Sequence, residues 1–588
     1  MSCQWCVHSH DSARVADLSR AADIPAVVAQ LLVRRGVTDP RDVAVFLDPK
    51  LNALRDPESL PGCRAAAERI HAAIHAGRRI IVYGDYDVDG MSGTAVLYLC
   101  LKLLAANVGY YIPHRVDEGY GLHDDAMREL AERDASMIVT VDCGIGSVGP
   151  ARLATELGVE LIITDHHLPG PELPDVAAIV HPGLPGGDYP FAGLSGSGVA
   201  LKLAWAVCQQ ASQAKRVGQR MRDFLLQAVG LAALGTVADV VPLIDENRVL
   251  VRHGLISLAN QPTLGIHRLM RVASVEPKPG GRGPRCLDSE DIAFKLAPRL
   301  NAAGRLGQPR LGVELLITDQ PDRAEELAHY IDQLNVQRQT LELSIRRAAS
   351  KQAREQFDPE ADAALVLAGR GWHPGVIGIV AGRLAEAFHR PVVLIALDEA
   401  GVKPGAGSAR SVPGFDLHAA LQQCDEYLLG HGGHAAAAGL RVEESRIDAF
   451  RAAFRETAAE ALGRGADQPD LHIDAEAAFS AFTLSAVDQI DRLAPFGEGN
   501  RRPLFCTTGV TLDGEPRTIG HGDRHLSLRL TQNGIGFRAV AFGAADWAEP
   551  LAKLQDPFDV AFHPVINNFR GRRSVELHMV DWRAASKG

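Results

Sequence analysis

What this chain has little of narrows it first. Its 588 residues include only nine cysteines, most of them, such as Cys100 and Cys208, inside apolar segments. That excludes a disulfide-stapled secreted scaffold and suits the reduced thiols of a cytoplasmic protein. No charged-then-apolar leader opens the chain and no apolar run of about 18 residues or more is apparent, so neither export nor a membrane is expected. Positive charge is not in excess: the formal net charge is −11. This argues against non-specific nucleic-acid binding by the whole surface and leaves room for a local basic groove. Cys3, Cys6, His8 and His10 have metal-like spacing, but no second ligand pair comes after them, and an N-terminus without fixed structure is expected there.

What is present points to a large globular protein. Hydrophobic residues make up 46% and charged ones 23%, and the length calls for about three to five domains. Residues 1–60, with a helical stretch around Ile24 to Arg35 and punctuating prolines, read as an N-terminal extension packed on the next domain of the chain. From residue 64 an alternation begins: helix 64–76, strand to residue 84, helix 92–105, strand 108–112, helix 124–133, strand 137–141, helix to 157, strand 160–164. Alternating strands and helices with short connections predict a parallel, doubly wound sheet with its ligand at the carboxyl ends of the strands.

Those ends carry the chemistry. The strand ending IVYG runs into Asp85, Asp87 and Asp89; MIVTV runs into Asp142; LIIT runs into Asp165, His166 and His167. The first acidic stretch alone reads equally as a solvated turn or a helix N-cap. Three strands delivering acids and imidazoles to one sheet edge favour a metal site, and several shared carboxylates suit two ions about 3.5–4 Å apart. Hydrolysis of a phosphate ester is the reaction such a pair supports. Asp239, in the apolar segment VGLAALGTVADVVPL, must be ion-paired or metal-bound, because an unpaired charge there is costly.

The strings DYDVDG, VDCGIGS, DHH and GTVADVVPL, in this order, resemble the DHH phosphoesterase family, and within it the single-strand-specific exonucleases. The resemblance runs from about residue 60 to the C-terminus. It implies that Asp85, Asp87, Asp89, Asp142, His166 and Asp239 bind two divalent ions, Mn²⁺ or Mg²⁺, with Asp165 and His167 catalytic. Many members have a histidine two residues before the first acid; this chain has Tyr83, which leaves open whether one ion site is weaker. Arg115 and Tyr120 in YIPHRVDEGYGL, and Arg299, Asn301 and Arg305 in LAPRLNAAGRL, resemble substrate-contacting segments, Arg299 foremost for a phosphate. Ser408, Arg410, Gly433 and His434, in GSARS and HGGHAAAAGL, resemble the nucleic-acid contacts of the DHH-associated domain.

The remaining segments complete the plan. Residues 278–286, KPGGRGPRC, read as a basic hinge, and 321–357 as one long helix joining two domains. HGGH alone also reads as a small-residue helix contact. From residue 468 five or so short strands suggest a small barrel of the oligonucleotide-binding class, with Arg501, Arg502, Phe505, Phe569, Arg570, Arg572 and Arg573 as strand contacts.

The expected architecture is therefore multidomain α/β: an N-terminal extension (1–60), a DHH domain (61–255), a linker with the long helix (256–358), a DHH-associated domain (359–466) and an OB-like barrel (467–588). The expected activity is 5′-to-3′ hydrolysis of single-stranded DNA in recombination and repair. Single-stranded DNA, a single-strand-binding protein and a helicase are the expected partners, and a monomer is the expected form. A small-substrate phosphoesterase would not need the barrel, and a silent relative would not keep every acid.

Overall fold

The computed structural model describes residues 4–115, 118–278, 284–358, 361–463, 470–554 and 556–585. The chain forms two compact units, one of residues 1–53, 242–244 and 468–588, the other of residues 54–241 and 245–467. The first unit opens with strand β1 (Gln4–Val7) and helices α1 (Ser12–Ala22), α2 (Ala26–Arg34) and α3 (Pro40–Leu47).

The second unit holds the predicted parallel sheet. After α4 (Cys63–His75) come β2 (Ile80–Gly84), α5 (Val88–Leu103), β3 (Val108–Tyr111), α6 (Asp124–Glu132), β4 (Met137–Val141), α7 (Val148–Glu156), β5 (Glu160–Thr164) and β6 (Ala178–Val180). The strand order is β3-β2-β4-β5-β6, all parallel. Strands β2 and β4 are buried throughout, which explains their unbroken apolar runs: helices cover both faces. Helix α5 starts four residues before the expected Ser92, because Asp87 caps it by accepting the N–H groups of Asp89 and Gly90.

Four helices come next, α8 (Gly196–Ser212), α9 (Gln219–Ala238), α10 (Asp245–Asn260) and α11 (Leu264–Val272). Helix α9 is long and apolar enough to cross a membrane by length and composition, although Arg220, Arg222 and Asp223 interrupt its apolar run, and 56% of that stretch is buried inside the protein. Of the expected hinge, Lys278 and Cys286 pair as an antiparallel bridge, and residues 279–283 lie outside the described residues. A short turn, α12 (Ser289–Asp291), and a π-helical turn (Ile292–Leu296) lead into α13 (Ala297–Arg305) and α14 (Pro309–Ile317). The expected long helix is α15 (Pro321–Gln356), 36 residues.

The rest of this unit is a second α/β layer: β7 (Leu365–Arg370), α16 (Pro374–Phe388), β8 (Val392–Leu397), β9 (Gly405–Arg410), α17 (Leu417–Gln423), β10 (Gly430–Gly433), β11 (Ala437–Val442) and α18 (Ile447–Leu462). Its order is β10-β11-β9-β8-β7, with only β7 and β8 parallel. The HGGH segment therefore forms an edge strand, and it meets α17 as well, the His418 ring 5.7 Å from that of His431.

The first unit is completed by β12 (Asp470–Ile473), β13 (Ala475–Glu476), α19 (Leu484–Asp491), β14 (Phe505–Leu512), β15 (Arg517–Ile519), β16 (His525–Gln532), β17 (Ile535–Ala541), α20 (Ala548–Ala552), β18 (Phe558–Phe569) and β19 (Arg572–Ala584). Seven strands form one sheet, which the additional β14–β16 pairing curls on itself. Two expectations fail here. The N-terminus is ordered from Gln4: β1 pairs in parallel with β12, His8 stacks on His472, and only Cys3 of the Cys/His stretch lies outside the described residues. Nor does the N-terminal segment build its core with the domain next to it in sequence. Val28, Leu31 and Leu32 of α2 share one apolar cluster with Phe479, Phe505 and Phe562.

Candidate active site

The carboxyl ends of β2, β4 and β5 and the end of α9 bring the predicted acids together. Asp85, Asp87 and Asp142 form one group, Asp142, His166 and His167 a second, and Asp89, His166 and Asp239 a third, each with ligand atoms within 4.8 Å of one another. Asp142 and His166 each belong to two groups, as neighbouring ions with shared ligands require. His166 Nε2 lies 3.1 Å from Asp142 Oδ1, 3.5 Å from Asp239 Oδ2 and 3.9 Å from Asp89 Oδ2. Asp239 has His166 and no Lys or Arg as its ion-pair partner among the described residues, so no salt bridge to a permanently charged base accounts for it.

The electrostatics of this cluster favour cations. Burial first, and then Asp89 and Asp87, push the Asp142 carboxyl well above its ordinary range. The same causes raise Asp239 to about 9, and burial followed by Asp87 raises Asp85. Asp85 Oδ1, Asp142 Oδ1 and His166 Nε2 are buried without a hydrogen-bond partner. Orphaned donor atoms of this kind, on oxygen and imidazole ligands, fit divalent ions such as Mn²⁺ or Mg²⁺. Asp142 also holds φ +64 and Val240, next to Asp239, φ +61; a β-branched residue in that region is strained, and such strain gathers at functional sites.

Several neighbours fix the acids. Asp89 accepts the N–H groups of Gly196 (2.6 Å) and Ser197 (3.0 Å) at the start of α8. Gly196 and Gly235 are small by necessity: a Cβ on Gly196 would stand 2.5 Å from Asp142 Oδ1, and one on Gly235 2.3 Å from Asp89 Oδ1. Sequence reading missed both, although the alternating small residues of LSGSGVA before an apolar helix carry the N-cap signal.

Asp165, expected to be catalytic beside His167, belongs to none of the three ligand groups; it accepts Ile145 N–H, His166 N–H and His167 Nδ1–H. These bonds fix the main chain and one ring of the motif. Burial opposes the charged form of His167, yet Asp165 at 2.7 Å outweighs it and raises the pKa to about 9. Tyr120, expected as a stacking platform, lays its ring against His167, its hydroxyl 3.0 Å from His167 Nδ1 and 3.2 Å from Asp142 O. The Tyr83 ring is fully buried among apolar side chains and stacks on Tyr111, and its hydroxyl donates to Gly121 O.

A cationic cluster adjoins the acids. Burial first, and then Arg115 and Arg410, lower Arg305 to about 9; burial and then Arg115 lower Arg410. Half-buried guanidinium groups gathered in this way suit a phosphate. Arg115 lies over the Tyr86 ring, Arg305 donates to Gly375 O, and Arg410 donates to Ser408 Oγ. Asn301 Oδ1 accepts Val88 N–H, bracing the first acidic motif. Gly433, at φ +138, turns the chain so that His434 faces His167 at 6.5 Å. Arg299, expected foremost at a phosphate, pairs with Asp332 at 2.8 Å and donates to Lys295 O.

In the barrel unit Phe505 is fully buried and so is no strand contact. Phe569 is 66% exposed with Arg570 over it, whereas Arg573 is paired with Asp488 and Arg501 with Glu498. Arg502 lies over the Phe496 ring.

Comparison with known proteins agrees with this geometry. Residues 79–236 match the DHH family N-terminal domain, 362–460 the DHHA1 domain and 473–581 the RecJ OB domain. The single-stranded-DNA-specific exonuclease RecJ of Bacillus subtilis (strain 168) is 37% identical over 579 residues, 98% of this chain and 70% of that protein. The crystal structure of RecJ in complex with Mn²⁺ from Thermus thermophilus superposes with a TM-score of 0.82 at 33% identity, covering 99% of this chain and 80% of that one. The Mg²⁺ complex from the same organism gives 0.76 at 31% identity, covering 99% and 79%. With its DHH domain, its barrel and nearly its whole length matched in this way, the chain belongs to the RecJ family and is a hydrolase of phosphodiester bonds.

Proposed function

We propose that the chain is a metal-dependent exonuclease that degrades single-stranded DNA from its 5′ end, one nucleotide at a time. The observation that carries this reading is the cluster of Arg115, Arg305 and Arg410, each interacting with another of the three, beside the acids. It is a seat for a terminal phosphate, held next to the bond to be cut. Ser408 and the His434 turn complete that seat.

A divalent pair held by Asp85, Asp87, Asp89, Asp142, His166 and Asp239 supplies Lewis-acid polarisation of the phosphoryl group and acidifies water. Water adds to phosphorus and the P–O3′ bond breaks. The terminal nucleotide leaves as a 5′-monophosphate with a 3′-hydroxyl, and the shortened strand bears a new 5′-phosphate. Asp165 and Tyr120 hold His167 by Nδ1, which leaves Nε2 as its remaining polar atom. The guanidinium groups orient the strand and stabilise the charge that develops.

In this reading residues 61–255, 359–466 and 467–588 are the DHH, DHH-associated and strand-binding domains, and residues 1–53 belong with the last. The chain acts as a cytoplasmic monomer, since one chain supplies every ligand group and its eight described cysteines are all free. A single-strand-binding protein and a helicase, which expose the substrate, are its working partners.

The test uses oligonucleotides labelled at the 3′ end, with either a 5′-phosphate or a 5′-hydroxyl. With Mn²⁺ the 5′-phosphorylated single strand is shortened from its 5′ end, faster than the hydroxyl form. Release of the 3′ label first, or no preference for the phosphate, overturns the reading.

A further inference from the structure

A cavity of about 810 Å³ opens in the second α/β layer. Residues Gly371–Gly375, after β7, and Ala396–Glu399, at the end of β8 and just past it, line it. Since β7 and β8 are parallel and α16 connects them, the cavity sits at the carboxyl ends of a strand-helix-strand unit. Open parallel sheets bind mononucleotides there, with an acid at the end of the second strand on a ribose hydroxyl. The volume suits a ligand of that size.

Trp372, Glu399 and Arg115 line the cavity together with Lys403, Arg441 and His373. The Trp372 indole packs on β7, where a Cβ on Gly369 would stand 2.3 Å from its ring; it is 8% exposed, and that part lines the cavity. Of the two acids after β8, Asp398 is committed to its own turn, accepting the N–H groups of Val402 and Lys403. Glu399 makes no hydrogen bond or ion pair among the described residues, and its Oε1 stands close over Gly371, 3.5 Å from a Cβ built there. Arg115 lines the same cavity and acts electrostatically on Arg305 and Arg410 in the phosphate seat.

We infer that this cavity binds the nucleoside 5′-monophosphate that hydrolysis releases, an inference that rests on the proposed exonuclease reading. Arg115 takes the phosphate, Trp372 offers its ring to the base, and Glu399 accepts the 3′-hydroxyl. That hydroxyl exists only after the P–O3′ bond has broken; before cleavage a phosphodiester stands in its place, and Glu399 repels it. The site therefore takes product and refuses the uncut strand.

Calorimetric titration of the full chain with thymidine 5′-monophosphate, and with its 3′-deoxy analogue, tests this. Glu399→Ala weakens the monophosphate about tenfold or more, as for a hydrogen bond to a charged group, and leaves the analogue unchanged. Ala406→Trp, which fills the cavity from β9, abolishes this binding. Both variants cut a 5′-phosphorylated strand at the wild-type single-turnover rate, which shows that they are folded. Equal affinity of the wild type for both nucleotides, or wild-type monophosphate binding by both variants, overturns the inference. If the wild type cuts no strand, the exonuclease reading falls instead, and the two nucleotides still report on the cavity.

Discussion

Asp165 Oδ1 lies 2.7 Å from His167 Nδ1, and the same oxygen accepts the backbone N–H groups of His166 and His167. One carboxylate thus sets both the main chain and the ring of the motif. Asp165→Asn keeps the shape and loses the charge. Its kcat is expected to fall about 10–100-fold, as for partners that orient ligands, with KM little changed. An unchanged kcat would show that His167 needs no such support.

Cation binding is expected to release protons. His167 and Asp239 keep theirs to about pH 9 without ions, and Asp142 is also raised. Protons and cations compete for these groups, so Mn²⁺ affinity rises with pH and levels off above about 9. Calorimetry in two buffers of different ionisation enthalpy reads the protons; a buffer-independent heat at pH 7 contradicts the expectation.

Gly235→Ala places a methyl group 2.3 Å from both Asp89 Oδ1 and Ser197 Oγ. The overpacking costs about 1–3 kcal/mol and displaces Asp89. The expected result is a lower melting temperature without ions, together with a smaller rise on adding Mn²⁺. A normal rise would mean that Asp89 is dispensable for the ion.

The two arginines of α13 separate cleanly. Arg299→Ala breaks a half-buried ion pair with Asp332, worth about 1 kcal/mol or less, and leaves KM unchanged. Arg305→Ala removes a phosphate partner and raises KM about 10–100-fold for 5′-phosphorylated strands, in keeping with about 1.5–3 kcal/mol for such a bond. Steady-state kinetics on strands with and without the phosphate distinguish the two.

Phenylalanines of the barrel unit separate likewise. Phe505→Ala empties a core position and costs about 3–5 kcal/mol of stability. Phe569→Ala leaves stability unchanged and removes about 1–3 kcal/mol of strand binding, the usual worth of a base on an aromatic ring. Denaturation and filter-binding titrations check the pair.

The acids were legible because strand periodicity and the strand-end rule converge on them: Asp142 and Asp165 each come directly after an apolar run. Tyr83 was not legible, since β2 is buried on both faces and alternation cannot tell which side a residue takes. Arg299 and Arg305 look alike in sequence, and only the fold shows that α15 supplies Asp332 to the first. Phe505 comes after two arginines and a proline, a context that resembles an exposed binding edge, while its strand turns it inward. The pairing of β1 with β12 has no local signature, because a parallel ladder between distant segments leaves none in either.

That pairing has a consequence during synthesis. Residues 1–53 are made well before residues 468–588, which supply most of the core they complete. At about 5–20 residues per second the intervening chain takes roughly 20–80 s to make. Throughout that interval Val28, Leu31 and Leu32 have only neighbours such as Val15, Leu18 and Leu47 to cover them and lack the phenylalanines of the barrel unit, so this segment completes its core late. The nascent chain is accordingly an expected client of holding chaperones, and any message cut short before the barrel is complete yields a product with an exposed apolar helix.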